Sequence, residues 1–195
     1  DPKTPGFIIG PPEKKMGWRG SDTRALTFEN MRVPAGALLG ELDVGFSQMM
    51  TALVGGRISV AALSLGLAEG ALQAALKYAN EREAFGKKIY RFQGVGMQLA
   101  EIATEIEAAR HLVYQASYVK DHGGNVVKAA AMAKLKASET AVRASNMAVQ
   151  VHGGYGYIKE FQVERFFRDA KVLTIGEGTS EVQKLVILKQ LMKGL

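Results

Sequence analysis

The stretch FQGVGMQLAEIATEIEAARHLVYQASYVK, residues 92–120, decides which fold the sequence favours. Gln98, Glu101 and Glu105 fall on one side of a helix built from it. A helix with one apolar stripe buries that stripe against other helices, so the segment predicts part of a helical bundle. The stripe recurs in steps of three and four residues at Val95, Leu99, Ile102, Ile106, Leu112 or Val113, and Ala116.

Helical patterns also flank this stretch on both sides. Gly123 and Gly124 end it, and Asn125 is a suitable N-cap for the next helix. Three long amphipathic helices plus a fourth, joined by short loops, predict a mainly α, antiparallel, four-helix-bundle-like domain. The further predicted helices cover residues 46–80, 126–151, 161–171 and 181–193.

The first forty residues have a different character. They hold all five prolines and two strand-like runs, Gly6–Ile9 and Arg24–Glu29. The second run alternates polar and apolar side chains, which predicts a half-buried strand. Because two strands make only a marginal sheet in water, residues 1–40 are predicted to be a short remnant of a larger β domain. Residues 41–195 are then the helical domain.

Composition narrows the function classes. The 195 residues are 47% hydrophobic and 23% charged, which is typical of a globular protein. No run of eighteen uncharged apolar residues occurs, so we expect no membrane span. Without cysteine there is no thiol chemistry, and three scattered histidines predict no metal site. The net charge of +6 suggests an anionic partner, but the cations are dispersed, which argues against nucleic acid.

The most informative local motif is GEGTSE, Gly176–Glu181, just before the last predicted helix. Ser180 and Gln183 have the spacing of a capping box. Capping does not account for Glu177, which stands between two glycines where little side-chain bulk surrounds its carboxylate. That carboxylate is a candidate general base, and the alternative is a solvated loop glutamate near a favourable helix dipole.

Two further segments are candidate cofactor contacts. In NEREAFGKKIYRFQ, residues 80–93, Arg82 is suited to a phosphate and Phe85 to a ring, the alternative being a solvated interhelical turn. In QVHGGYGY, residues 150–157, the glycines expose backbone amides that suit a cofactor. This second segment follows a helix rather than a strand, so a dinucleotide fingerprint does not apply, and a helix stop with a tight turn is the alternative.

Taken in order, these segments resemble the acyl-CoA dehydrogenase family. The likeness covers the whole chain and corresponds to the C-terminal half of the family, namely the end of its middle β domain and its C-terminal helical domain. The matching motifs are Lys15–Thr23, Phe28–Pro34, Leu38–Glu41, Gly45–Phe46, Gly56–Arg57, Arg82-x-x-Phe85-Gly86 with Phe92–Gln93, Gln150-x-x-Gly153-Gly154-x-Gly156-Tyr157, Arg168–Ala170 and Gly176–Glu181.

The resemblance implies an FAD-dependent oxidoreductase of fatty-acid β-oxidation. Such an enzyme oxidises an acyl-CoA thioester to the 2,3-enoyl-CoA and passes electrons to an electron-transferring flavoprotein. It implies a homodimer or homotetramer, in the cytoplasm if bacterial and in the mitochondrial matrix if eukaryotic. Alternatives left open are an acyl-CoA oxidase-like flavoenzyme that uses oxygen and a non-catalytic helical interaction module. We expect the fragment alone to bind FAD poorly.

Site residues follow from the same resemblance. The family places its base either where Glu177 stands or just before Arg57; the second position holds Gly56, so Glu177 is the implied base. The implied substrate contacts are Val54, Gly55, Gly56, Arg57 and Gly178. The implied FAD contacts are Arg82, Phe85, Gln93, Gln150, Val151, His152, Gly153, Gly154, Thr179, Ser180 and Glu181.

Two positions depart from the family pattern. Val54 stands where many members have an acidic residue that touches the pantetheine. Gly176 stands where many have an aromatic residue before the catalytic glutamate. The missing ring leaves room near the reacting carbons, so we expect a branched, cyclic or aromatic acyl group.

Overall fold

Five α-helices make up most of residues 1–193, the part of the chain that the computed structural model describes. The mainly α fold predicted from the sequence is confirmed, and each predicted helix is present. The helices are α1 (Gly45–Glu81), α2 (Gln93–His122), α3 (Val126–His152), α4 (Val163–Ala170) and α5 (Ser180–Met192).

Helix α3 is the centre of the bundle and packs against α2, α4 and α5. Half of the buried residues of α3 are alanines, and α1 also buries a row of alanines in the same core. Small side chains let neighbouring helices approach closely. The larger core residues of α2 fill the space that the alanines leave between the helices. That helix contributes the predicted stripe, with Val113 rather than Leu112 fully inside; its buried members are Leu99, Ile102, Ile106, Ala109, Val113 and Ala116.

The turn between α2 and α3 follows the sequence signals. Gly123 ends α2 with a φ of 91°, which a residue with a Cβ rarely adopts. Asn125 caps α3, and its side-chain oxygen accepts a hydrogen bond of 3.1 Å from the backbone N–H of Lys128. The predicted cap is therefore confirmed.

Residues 1–51 form one unit and the described residues from 52 onward form another, with the boundary inside α1. In the first unit, β1 (Phe7–Pro12) pairs antiparallel with β2 (Arg24–Phe28). All five residues of β2 are exposed, so the prediction of a half-buried strand is wrong. A ribbon of only two strands covers neither of its own faces. The predicted domain boundary after residue 40 stays a prediction.

Helices α1 and α2 are joined by a short hairpin, β3 (Glu83–Ala84) and β4 (Lys87–Lys88), and one turn of 3₁₀ helix at Ile89–Arg91. By length and composition, α1 is apolar enough to cross a membrane. The same test is passed by the core helix of a soluble protein, so the expectation of no membrane span stays a prediction.

Candidate active site around Glu177

Glu177 lies in the loop that leads into α5, with a left-handed backbone. Its φ is 55°, and that of Gly178 beside it is 95°. Non-glycine residues pay about 1–2 kcal/mol for this conformation. Such strain persists only where the surrounding structure enforces it. The contacts of this loop therefore determine where the carboxylate of Glu177 is held.

The carboxylate of Glu177 rests on the bare backbone of α1 at Gly56. A Cβ added to Gly56 would lie 2.6 Å from Oε2 and 3.0 Å from Cδ of Glu177. These two residues, both singled out from the sequence, are thus brought together. Glu177 is half-buried rather than extended into solvent. Val54 and Gly55 are half-buried one turn or less away on the same helix.

Arg57 supports the loop from α1. The side chain is only 3% exposed, and its Nε donates a hydrogen bond of 3.4 Å to the backbone carbonyl of Glu177. Burial lowers the pKa of Arg57, and the negative charge of Glu177 partly offsets that effect.

Lys134 supports the loop from α3 and is not among the site residues predicted from the sequence. Its side chain is fully buried, and Nζ donates a hydrogen bond of 2.8 Å to the carbonyl of Gly178. Burial lowers the pKa of Lys134 and the charge of Arg57 lowers it further, whereas Glu177 raises it. The available signal was its spacing, since Lys134 follows Ala130 by four residues on the apolar stripe of α3.

Gln183 supports the loop from α5. Its fully buried side chain donates from Nε2 to the carbonyls of Glu177, at 3.1 Å, and Gly178, at 2.9 Å. The predicted capping box is wrong by one residue, because the N-cap is Thr179, whose hydroxyl accepts from the backbone N–H of Val182. Gln183 faces the preceding loop instead of capping the helix.

A second cluster lies at the C-terminal end of α3. His152 is 6% exposed, stacks on Tyr78 with ring centroids 4.2 Å apart, and donates from Nδ1 to the carbonyl of Ala148 at 2.8 Å. Burial lowers the pKa of His152, so the imidazole is neutral at pH 7. The pocket here has a volume of about 560 Å³ and includes five implied FAD contacts: Arg82, Val151, His152, Gly153 and Gly154.

Three more implied FAD contacts line a separate pocket of about 400 Å³ at the start of α5: Thr179, Ser180 and Glu181. Ser180 Oγ is buried, with no hydrogen-bond partner among the described residues. The backbone N–H of Glu181 and the Thr179 hydroxyl lower the pKa of the Glu181 carboxyl.

Three implied FAD contacts join neither pocket. Phe85 is 96% exposed at the tip of the β3–β4 hairpin, and Gln93 and Gln150 are exposed at helix ends. Phe85 and Gly86 are the two turn residues, with φ values of 51° and 77°. Within residues 1–193, no group of three or more His, Cys, Asp or Glu side chains is placed to hold a metal ion.

The fold and these clusters define a class of protein. It is a helical domain in which the carboxylate of Glu177 is the candidate general base. The family model of the acyl-CoA dehydrogenase C-terminal domain matches residues 43–192. The chain therefore belongs to the acyl-CoA dehydrogenase family.

Known relatives are similar over nearly the whole chain. A probable acyl-CoA dehydrogenase of Bacillus subtilis is 54% identical over 97% of the chain. A subunit of the caffeyl-CoA reductase–Etf complex of Acetobacterium woodii is 48% identical over 99%. The butyryl-CoA dehydrogenase structure from Megasphaera elsdenii matches 97% of the chain and 50% of its own, with a TM-score of 0.95 and 47% identity. The chain spans 50% and 51% of the two curated relatives.

Proposed function

We propose that this chain is the base-bearing half of an FAD-dependent acyl-CoA dehydrogenase. The observation that carries the proposal is the contact between the Glu177 carboxylate and Gly56. Because Gly56 has no side chain, the carboxylate can lie against the backbone of α1, and no side chain from that position stands between it and an approaching thioester. Half-burial also limits the water around Glu177, which suits a base that must take a weakly acidic proton.

The proposed reaction forms a double bond between the α- and β-carbons of the acyl group. The α-carbon gives its proton to the carboxylate of Glu177, and the β-hydrogen leaves with its electron pair as hydride. FAD, when bound, supplies the acceptor for that hydride. The loop contacts of Glu177 hold the carboxylate in place during the proton transfer, because its backbone carbonyl accepts from Arg57 and Gln183.

The residues present fit a cofactor that carries phosphates and an aromatic ring. Arg82 supplies a guanidinium, Gly153 and Gly154 supply accessible backbone, and Tyr78 and Tyr155 supply ring faces in one pocket. The buried hydroxyl of Ser180 also needs a partner. The exposure of Phe85 and Gln93 suits contacts to a cofactor held by a second copy, which supports a homodimer or homotetramer.

The proposed substrate is an acyl-CoA with a branched, cyclic or aromatic acyl group. A Cβ added at Gly176 would have Val172 O, at 3.6 Å, as its nearest described contact, which is ordinary van der Waals distance. The relative named as part of a caffeyl-CoA reductase complex supports an aromatic acyl group. Turnover of a panel of acyl-CoA esters tests this, and activity with butyryl-CoA alone would contradict it.

The proposed electron acceptor is an electron-transferring flavoprotein, since that relative is a subunit of a complex with one. The alternative is an oxidase that passes electrons to oxygen. Hydrogen peroxide formed in step with enoyl-CoA would support the oxidase, whereas reduction of an added electron-transferring flavoprotein supports the dehydrogenase.

The base is tested by Glu177→Gln in the complete protein that contains this chain. We expect flavin content to be unchanged and turnover to fall by about 10²–10⁴-fold, the usual contribution of a general base. Glu160→Gln, which changes an exposed carboxylate in the α3–α4 connection, is the control and should keep its activity. Retained turnover in Glu177→Gln would overturn the proposal.

A further inference from the structure

Lys134 is a cation where the fold favours an apolar side chain. It lies on the inner face of α3 among buried alanines and is fully removed from solvent. Burying an ammonium group costs several kcal/mol unless hydrogen bonds and charges compensate. The hydrogen bond from Nζ to the carbonyl of Gly178 and the negative charge of Glu177 compensate part of that cost.

The need to satisfy that carbonyl does not explain Lys134. The carbonyl of Gly178 already accepts a 2.9 Å hydrogen bond from Gln183 Nε2. An unbranched apolar residue at position 134 would therefore leave no orphaned carbonyl behind, and it would avoid the desolvation of an ammonium. Residues that break the rules of core packing without a structural reason are expected at functional sites.

The position of the hydrogen bond between Lys134 and Gly178 indicates a role in holding the loop that carries Glu177. Gly178 directly follows Glu177, and both residues have left-handed φ values. Donors from α1, α3 and α5 hold the carbonyls of these two residues, through Arg57, Lys134 and Gln183. The backbone next to the carboxylate is thus fixed from three helices, and Lys134 makes the shortest of these contacts.

We propose that Lys134 is a positioning residue for Glu177: its ammonium group holds the Gly178 carbonyl so that the carboxylate stays over Gly56. This proposal rests on the proposed function, in which Glu177 is the base. Small displacements of a reacting group are costly, and about 1 Å of misplacement can lower a rate by about 10²-fold.

The test compares Lys134→Met with Lys136→Met in the complete protein that contains this chain. Lys136 is on the same helix and pairs at 3.3 Å with Glu105, away from the Glu177 loop. For Lys134→Met we expect kcat to fall by about 10²-fold with KM nearly unchanged and melting temperature not lowered. The isotope effect on an α-deuterated acyl-CoA should rise, because proton removal becomes the slow step. Lys136→Met should keep its kcat.

Amide hydrogen exchange gives a measure that is independent of turnover. Without substrate, residues 172–181 should exchange faster in Lys134→Met than in Lys136→Met, and Lys134→Arg should restore part of the protection. Equal exchange and equal kcat in the two methionine variants would overturn the positioning role, as would a Lys134→Met protein that does not fold.

The turnover of Glu177→Gln distinguishes a wrong role for Lys134 from a wrong proposed function. If Glu177→Gln loses turnover while Lys134→Met behaves like its control, Glu177 remains the base and only the role of Lys134 is wrong. If Glu177→Gln keeps its turnover, the proposed function fails, and with it the role assigned to Lys134.

Discussion

The carboxylate of Glu177 occupies the space that a side chain at Gly56 would need: an added Cβ would lie 2.6 Å from Oε2. These are also the two places where the family resemblance allows the base to stand. The fold therefore brings both positions to one point, although they are 121 residues apart in the sequence. A side chain at one position and the carboxylate of the other compete for the same volume.

Gly56→Ala should separate activity from stability. The added methyl group meets the end of a flexible side chain, so Glu177 swings away while the helix keeps its backbone. We expect the free energy of unfolding to stay the same or rise by up to about 1 kcal/mol, from the better helix propensity of alanine. Turnover should fall by about 10²-fold as the carboxylate is displaced. Urea denaturation and steady-state kinetics measure the two effects.

The matched control for that variant is Gly66→Ala, three turns further along α1. A Cβ there would meet no described atom within 4 Å, so only helix propensity changes. It should gain about 1 kcal/mol of stability and keep full turnover. If Gly56→Ala also keeps full turnover, the position of the carboxylate at Gly56 has no role in catalysis.

His152 should make the stability of the chain depend on pH. Because burial lowers its pKa below the ordinary 6.5, the folded state holds it neutral, whereas the unfolded state takes up a proton below that pH. The contribution of a neutral His152 to the free energy of unfolding should therefore be complete above pH 6.5. It should decrease as the pH falls from 6.5 towards the lower pKa of the folded state.

Urea denaturation of the wild type and of His152→Gln, at about pH 7.5 and about pH 5.5, measures this effect. The variant should lose less stability than the wild type between the two pH values. His111→Gln, which removes a histidine that is 78% exposed, is the control. An equal loss in the wild type and in His152→Gln would contradict the assignment of this pH dependence to His152.

The helices were predictable because their signals are local. The stripe of α2 and the Gly123–Asn125 stop and cap depend on residues three or four apart, and the structure places them as expected. The strand burial was not predictable in the same way. Alternation in Arg24–Phe28 indicates which side chains share a face, but whether anything covers that face depends on distant parts of a protein.

Only part of the candidate site could be predicted from the sequence, for the same reason. Glu177 stood out because its glycine neighbours are adjacent in the sequence. Lys134 and Gln183 act on its loop from positions 43 residues before it and 6 residues after it, and neither forms a local motif with it. Gln183 was explained instead as a helix cap, since that role needs only the spacing to Ser180.

In the turn at Phe85 and Gly86, the aromatic residue Phe85 has a strained backbone with a positive φ. Its replacement tests how much that strain costs in stability. Both turn residues have positive φ, a conformation for which Asn-Gly is the favoured pair in two-residue hairpins. We expect Phe85→Asn to raise the free energy of unfolding by about 0.5 kcal/mol, measured by guanidinium denaturation, because asparagine tolerates this backbone better. In the proposed enzyme the same change should weaken FAD retention, since a nearly fully exposed ring is lost from the hairpin tip.

Tyr157→Asn separates the effect of strain from that of removing an exposed ring. Tyr157 is 86% exposed, like Phe85, but it lies in the 3₁₀ helix Gly153–Tyr157 without a positive φ. Its replacement should bring no gain in stability, because there is no backbone strain to relieve. If both variants gain equally, the advantage comes from a less apolar surface, and the φ of Phe85 is not what limits the stability of the hairpin.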